Sequence, residues 1–247
     1  MPIYRYVKKY PKRKMRVPQI FSFFLIFSGV FTLIWAVWPI ASFQVTNAAL
    51  FSEIISPIQN PDIGRLRMNE MVLAASDVSP LSNGDSYNPN TWYPGRPQKP
   101  TKTTVDTYTI TIPELNIRDA KVIIAGDSLD QSLIHYGGTA LPGEPGATVI
   151  FGHSTLPQLY DPKDYKTIFS YLPTLKPVSD NYKGDEIFIT YDRTTYRYLI
   201  YDMKVTKPTD LSALEQETDG SYVTLVTCVP PGTYWQRLNV KGKLVPF

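Results

Sequence analysis

The residues of this chain that could do covalent chemistry are a single cysteine, two histidines and an arginine close to the cysteine. Cys228 ends the β-branched run 224–228, and Arg237 follows nine residues later. A thiol with its ordinary pKa of about 8.5 is mostly protonated at neutral pH, so it needs a base to become a nucleophile. His153 follows the apolar run 148–152 and could take that proton. Arg237 could stabilise the negative charge that attack on a carbonyl group places on oxygen.

Each of these residues also has a structural interpretation. A lone cysteine at a strand end is more often a small buried hydrophobe. A histidine after a strand is more often a hydrogen-bonded structural residue, and an arginine on an edge strand is usually solvated. His135 lies in a glycine-rich loop and is the only other candidate base, for which we expect a structural or pocket-edge role. Asp161 or Asp192 could orient His153, and the spacing selects neither.

The N-terminal region predicts a membrane anchor. Seven of the 25 Lys and Arg residues lie within residues 1–16, no charge occurs from 17 to 52, and the apolar centre is 20–40. As a helix rising ~1.5 Å per residue, this centre spans roughly 30 Å, the hydrocarbon thickness of a bilayer. We therefore expect a cytoplasmic basic tail over 1–16 that contacts anionic lipid, a single-pass transmembrane anchor over 17–42 in the cell membrane, and an extracytoplasmic remainder. A cleaved signal peptide is the alternative, although its apolar core is usually only ~7–15 residues.

The part of the chain beyond residue 52 is slightly acidic, with 18 basic residues facing 22 acidic ones. This balance gives no electrostatic support for nucleic-acid binding.

The single cysteine also bears on function. A lone thiol outside the cytoplasm has no internal disulfide partner, so a free cysteine in an oxidising compartment indicates that its sulfur has a chemical role.

The external part divides into a spacer and one folded domain. The spacer, 43–104, includes a short predicted helix over 62–75 and becomes proline-rich towards its end, a composition that does not bury enough apolar surface to fold alone. Residues 105–247 alternate β-rich runs with turn signals, including a hairpin turn at 192–194, and predict an all-β barrel or sandwich of seven or eight strands with short helices. The predicted strands are 107–112, 121–124, 147–151, 186–191, 195–205, 222–227 and 235–245.

Five segments of this domain carry a recognisable pattern, at 112–117, 135–153, 183–187, 207–210 and 224–242. The last of them holds Cys228, Arg237 and a Val-Lys-Gly triplet, and the second is a glycine-rich loop and strand that end in His153. The pattern resembles the sortase family, which are cysteine transpeptidases of the bacterial cell surface. The resemblance extends over roughly 107–245.

The resemblance implies an eight-stranded β-barrel in which Cys228 is the nucleophile and His153 its acid/base partner. Arg237 would stabilise the tetrahedral intermediate or hold the substrate. A sortase cleaves a Leu-Pro-x-Thr-Gly-like motif near the C-terminus of a surface protein, after the threonine, and forms a thioacyl enzyme. It then passes the acyl group to an amine of a peptidoglycan precursor or a pilin. That chemistry requires neither a metal nor an organic cofactor.

Further expectations concern substrate binding and subclass. We expect Thr227, Ala140 and Leu141 to contact the substrate. Segment 88–92 is a poor match to the aromatic lid of pilin-polymerising sortases, and no second hydrophobic segment follows the barrel, which favours a single-anchor, wall-anchoring enzyme. Ser154 stands where many members have arginine, and Phe151 replaces a usually small residue. Two extra stretches are expected as surface loops; they are 155–166 and 178–182.

Two alternatives stay open. Calcium activation would need a carboxylate cluster beside the 207–221 loop, for which Glu215, Glu217 and Asp219 are candidates, although solvated loop charges explain these residues equally well. The other alternative is functional: a catalytically inactive barrel that binds surface-protein peptides without cleaving them.

Overall fold

The computed structural model describes residues 17–46, 87–93 and 95–247. The first of these ranges is helix α1, Val17–Thr46, which contains no charged residue and exposes its large apolar side chains from Ile20 to Trp38. Within the described residues, α1 is the one helix that is long and apolar enough to cross a membrane, and the candidate span is Ile20–Phe43. The predicted basic tail, the spacer residues 47–86 and the short helix at 62–75 lie outside the described residues.

Eight strands follow in the chain and close into a barrel, which confirms the predicted fold class. The strand order around the barrel is β1-β2-β3-β4-β7-β8-β6-β5. The strands are β1 Thr107–Ile112, β2 Ile117–Ile124, β3 Leu133–His135, β4 Gly146–Phe151, β5 Glu186–Tyr191, β6 Thr194–Thr206, β7 Ser221–Val229 and β8 Gln236–Val245. The sequence pattern misses only β3, because a three-residue strand carries no visible alternation.

Two strand pairings determine which residues lie together at one rim of the barrel. Strands β4 and β7 run parallel, with Phe151 opposite Val226, so the chain leaves both strands at the same end. Strands β7 and β8 are antiparallel, so the start of β8 returns to the end of β7. The residues after β4, the last residues of β7 and the first of β8 therefore share one rim.

The side chains of β7 alternate between two apolar clusters, as the period of a strand requires. Val223 and Leu225 belong to the cluster inside the barrel, to which every strand contributes. Val226 and Cys228 belong to a second cluster, which also contains Trp92 and Tyr93 from the segment before the barrel. All nine residues of β7 are buried, because both faces of this strand are covered.

The predicted hairpin turn joins β5 to β6. Tyr191 and Thr194 pair directly, leaving Asp192 and Arg193 as a two-residue turn with φ values of 45° and 63°. Such left-handed values usually favour Asn or Gly. Of the two extra stretches, 155–166 forms a short helical turn at Pro157–Leu159, and 178–182 contains an isolated bridge between Ser179 and Tyr182.

Candidate active site

The thiol and the guanidinium meet across the β7–β8 ladder. Cys228 and Arg237 are register partners, and Nη1 of Arg237 lies 3.3 Å from the Cys228 sulfur. The same nitrogen donates to the carbonyl oxygens of Tyr234 and Gln236. Arg237 is only 2% exposed, and its Nε–H has no hydrogen-bond partner among the described residues. A buried cationic donor is therefore available beside the sulfur.

The burial of Cys228 sets the protonation state of its thiol. Burial raises the pKa of the thiol to about 11, and the positive charge of Arg237 opposes this rise only in part. Desolvation dominates because an anion loses more hydration free energy than one neighbouring cation returns. In this covered arrangement the sulfur is a neutral thiol at physiological pH.

His153 reaches the same rim from the end of β4. Gly152, just before it, donates its N–H to the carbonyl of Val226, which fixes the chain alongside β7. His153 is 5% exposed, and burial lowers the pKa of its imidazole to about 4, with Asp130 opposing this shift and Lys166 adding to it. Its Nε2 has no hydrogen-bond partner in the described ranges. Buried unpaired polar atoms are uncommon and often mark functional positions.

Two hydroxyl groups connect the histidine loop to the cysteine strand. The Ser154 hydroxyl donates to the carbonyl oxygen of Cys228 at 2.5 Å, and the Thr227 hydroxyl donates to the carbonyl oxygen of Gly152 at 2.8 Å. Thr227 is fully buried, so its side chain positions the strand end. Ser154, the departure from the family pattern noted above, has a structural use here.

An aromatic segment before the barrel covers the site. The indole of Trp92 stacks on Phe151 at 5.3 Å between ring centroids and lies 5.9 Å from the ring of His153. The guanidinium carbon of Arg237 is 4.8 Å from the Trp92 ring centroid. Tyr87 places its ring edge-on against His153 at 4.7 Å. We call Tyr87, Trp92 and Tyr93 the aromatic cover.

Backbone and side-chain hydrogen bonds fasten the cover to the barrel. The Leu129 N–H donates to the carbonyl of Tyr87, and the Gln98 side chain bonds both Gly126 and Gly137. Tyr93 is fully buried, and that burial raises the pKa of its phenol. Residues 87–93 and 95–99, which the composition assigned to the spacer, are thus tied to the barrel by these contacts and by the hydrogen bond from the Lys99 N–H to the carbonyl of Gly137.

The structure does not bring the remaining predicted substrate-binding residues to the thiol. The Ala140 N–H donates to the carbonyl of Ala147, which lies opposite Tyr222, six residues before Cys228. At ~3.3 Å per residue this is roughly 20 Å along β7. Leu141 borders a separate cavity of about 590 Å³ together with Tyr191.

Other candidates from the sequence have contacts of their own. His135 is fully buried between the Tyr108 hydroxyl at 2.9 Å and the Thr139 hydroxyl at 3.1 Å, as a structural histidine would be. The Asp161 carboxylate accepts from the Lys163 N–H, and Asp192 occupies the hairpin turn. Asp130, which sequence spacing did not select, is the carboxylate whose negative charge opposes the lowering of the His153 pKa by burial.

Two of the three acidic residues considered for calcium are engaged with protein groups. Glu217 pairs with the Lys241 ammonium at 3.6 Å, and Asp219 accepts from the Tyr222 hydroxyl. The described part of the chain contains no group of three or more His, Cys, Asp or Glu side chains that could hold a metal ion.

The barrel is closed and eight-stranded, and its rim carries a buried cysteine, an arginine donor and a histidine. This combination of fold and side chains places the protein among β-barrel proteins with a cysteine site at the rim. The family model described as the sortase domain matches residues 110–245, more than half of the chain. The chain therefore belongs to the sortase family, a family of cysteine transpeptidases.

Several solved structures are similar to this chain. Sortase C-1 from Actinomyces oris is 30% identical, with a TM-score of 0.48 and coverage of 57% of this chain and 73% of that one. A sortase D5 transpeptidase from Clostridium perfringens is 28% identical, with a TM-score of 0.47 and coverage of 59% and 82%. A lid mutant of sortase A from Corynebacterium diphtheriae is 27% identical, with a TM-score of 0.48 and coverage of 64% and 77%. No curated protein matches the chain.

Proposed function

We propose that this protein is a membrane-anchored sortase that cleaves a Leu-Pro-x-Thr-Gly-like motif after its threonine and transfers the acyl group to an amine. The observation that carries the proposal is the 3.3 Å contact between Arg237 Nη1 and the Cys228 sulfur, together with the unpartnered Nε–H of that arginine within the described residues. Such an arrangement offers a fixed donor where an oxyanion would form beside the nucleophile.

The first half-reaction begins when the cover moves and water reaches the rim. With less desolvation, the positive charge of Arg237 lowers the pKa of the Cys228 thiol, and His153 becomes basic enough to accept its proton. The thiolate attacks the threonine carbonyl, forming a carbon–sulfur bond and an oxyanion stabilised by Arg237. Collapse of this intermediate breaks the Thr–Gly bond, and the leaving glycine amine takes the proton from His153.

In the second half-reaction a primary amine attacks the thioacyl carbonyl carbon. A carbon–nitrogen bond forms and the carbon–sulfur bond breaks, leaving its electron pair on sulfur. The proton lost by the amine reaches the Cys228 sulfur through His153, so the free thiol is restored. The product is an amide between the surface protein and the acceptor.

The apolar helix and the basic tail support a place for the enzyme in the membrane, and the family resemblance supports the choice of partners. Helix α1 would hold the enzyme in the cell membrane as a single span, with the N-terminus in the cytoplasm and the barrel outside. The acyl donor would be a surface protein with a C-terminal sorting motif, and the acceptor an amine of a peptidoglycan precursor or a pilin.

The test is mass spectrometry of the full chain in detergent, incubated with a library of Leu-Pro-x-Thr-Gly-like peptides. The wild type is expected to gain a thioester adduct on Cys228 that added amines discharge, and Cys228→Ala is expected to gain none. Peptide binding without any adduct in the wild type would instead support the inactive, binding-only barrel.

A further inference from the structure

Strand β8 carries a buried asparagine that the reactions described above leave without a role. Asn239 lies two residues after Arg237, so the two side chains share one face of the strand. On β7 the register partner of Asn239 is Val226, just as Cys228 is the partner of Arg237. Val226 and Cys228 both belong to the second apolar cluster. These four side chains therefore lie side by side on the face that points away from the interior of the barrel.

The amide group of Asn239 has an acceptor atom without a donor. Asn239 is only 2% exposed, and its Nδ2 donates to the Thr206 hydroxyl at 3.2 Å, which turns Oδ1 away from Thr206. Thr206 is also buried, and it is the register partner of Arg237 on β6. Oδ1 of Asn239 has no hydrogen-bond partner within the described part of the chain. Because a carbonyl oxygen is costly to bury unpaired, we expect a ligand to supply the donor.

A donor and an acceptor thus stand unpaired on one strand face. The donor is the Nε–H of Arg237 and the acceptor is Oδ1 of Asn239, each without a partner in the ranges that the structure describes. A peptide main chain carries the matching pair. The N–H and C=O of one extended residue point to the same side and bond to the same neighbour. The two unpaired groups therefore favour a main-chain ligand.

The aromatic cover packs in this cluster without pairing either group. Trp92 and Tyr93 belong to the same apolar cluster as Cys228, yet both the Arg237 Nε–H and the Asn239 Oδ1 stay unpaired among the described residues. The cover replaces water with aromatic surface and provides no main-chain partner for them. A peptide that displaces the cover would meet both groups as it reaches the thiol.

We propose that Asn239 is a substrate-binding residue that accepts a hydrogen bond from the main-chain N–H of the threonine in the sorting motif. The inference rests on the proposed function and deepens it, because Arg237 would hold the carbonyl oxygen of that same threonine. The residue to be cleaved is then held at both of its main-chain polar groups, beside the sulfur that attacks it. The contact selects a residue with a free N–H, so it excludes proline at the cleavage position.

The test removes single N–H groups from the peptide. Two Leu-Pro-x-Thr-Gly-like peptides are prepared in which an ester oxygen replaces either the threonine N–H or, for comparison, the N–H of residue x. The readout is kcat/KM for thioacyl formation by the full chain in detergent. In the wild type we expect loss of the threonine N–H to lower kcat/KM about five-fold relative to the all-amide peptide, the effect of one hydrogen bond.

Asn239→Leu removes the acceptor and keeps the approximate size of the side chain. In this variant the threonine ester should react at nearly the same rate as the all-amide peptide. The ester at residue x should have the same effect in both enzymes. Asn181→Leu is the matched control, because Asn181 is exposed and its replacement should preserve the five-fold difference. A thermal melt checks folding, and Asn239→Ala takes the place of an unfolded leucine variant.

Three results would overturn the inference. The first is a wild type that reacts equally fast with the threonine ester and the all-amide peptide. The second is a folded Asn239→Leu variant that keeps the full loss, and the third is a difference between the two enzymes at the ester of residue x. An absence of any thioacyl adduct with the all-amide peptide is a distinct result, which overturns the proposed function and the role of Asn239 with it.

Discussion

The guanidinium of Arg237 lies against the face of Trp92, with 4.8 Å between the guanidinium carbon and the ring centroid. The same indole is 5.9 Å from the ring of His153, so one side chain contacts both proposed partners of the thiol. Arg237 and Trp92 are each only 2% exposed. A peptide that reaches Cys228 has to replace this indole.

Replacing Trp92 should therefore make the thiol more reactive. In Trp92→Ala, water reaches the rim, the desolvation that raises the pKa of Cys228 is reduced, and the thiolate fraction at neutral pH increases. We expect the rate of alkylation by iodoacetamide at pH 7.5 to rise about ten-fold or more, since each pKa unit changes the thiolate fraction about ten-fold. The measurement is the time course of mass gain on Cys228.

The matched control for this experiment is Trp235→Ala. Trp235 is 63% exposed, so its removal should leave the alkylation rate close to that of the wild type. Because Trp92 also packs on Phe151, a thermal melt must show that Trp92→Ala is folded at the assay temperature. Equal alkylation rates in a folded Trp92→Ala variant and the wild type would contradict the role of the indole as a cover.

Arg237→Lys tests the oxyanion donor. Lysine keeps the positive charge but loses the planar set of N–H donors, one of which contacts the sulfur in the wild type. We expect turnover with a sorting peptide to fall on the order of 10²–10³. The readout is the single-turnover rate of thioacyl formation, and a near-normal rate would remove Arg237 from the mechanism.

The sequence predicts the barrel well because its strands carry long β-branched runs with turns between them. The pairing of Cys228 with Arg237 also follows, since one hairpin brings them together. The aromatic cover was not predicted, because a proline-rich composition indicates a spacer and does not show that Trp92 docks on a distant strand. Asp130 was missed for a related reason: its closeness to His153 depends on the parallel crossover between β2 and β3, which spacing does not reveal.

Gly152 sets the path of the chain into His153 by leaving no room for a side chain. A Cβ added there would lie 2.4 Å from the ring of Phe169 and 2.6 Å from the side chain of Leu133. Gly152→Ala should lower the free energy of unfolding by about 1–3 kcal/mol, the usual cost of overpacking. Gly95→Ala, where a Cβ meets nothing within 4 Å, should change it by less than about 0.5 kcal/mol.

Denaturant unfolding of both glycine variants provides the measurement. A second readout is the rate of thioacyl formation in Gly152→Ala under conditions where it is folded. We expect a slower rate, because the displaced backbone moves the imidazole of His153. Equal stability of the two variants would show that the barrel accommodates a methyl group at this position.

The two histidines make stability depend on pH in a defined window. Burial lowers the pKa of both His135 and His153 to about 4, whereas in the unfolded chain it is about 6.5. Between these values the unfolded state binds protons that the folded state does not. The free energy of unfolding should therefore be highest above about pH 6.5, fall as the pH drops towards about 4, and stop changing on account of the histidines below that.

His153→Gln separates this contribution from that of the carboxylates, which titrate in both proteins. Glutamine carries no proton to bind, so the loss of stability between pH 6.5 and 4 should be smaller in the variant than in the wild type by roughly 2 kcal/mol. The measurement is urea unfolding at half-unit steps of pH. If the free energy of unfolding depended on pH in the same way in both proteins, the imidazole of His153 would be solvated in the folded state. That result would also contradict the position of the aromatic cover above the site.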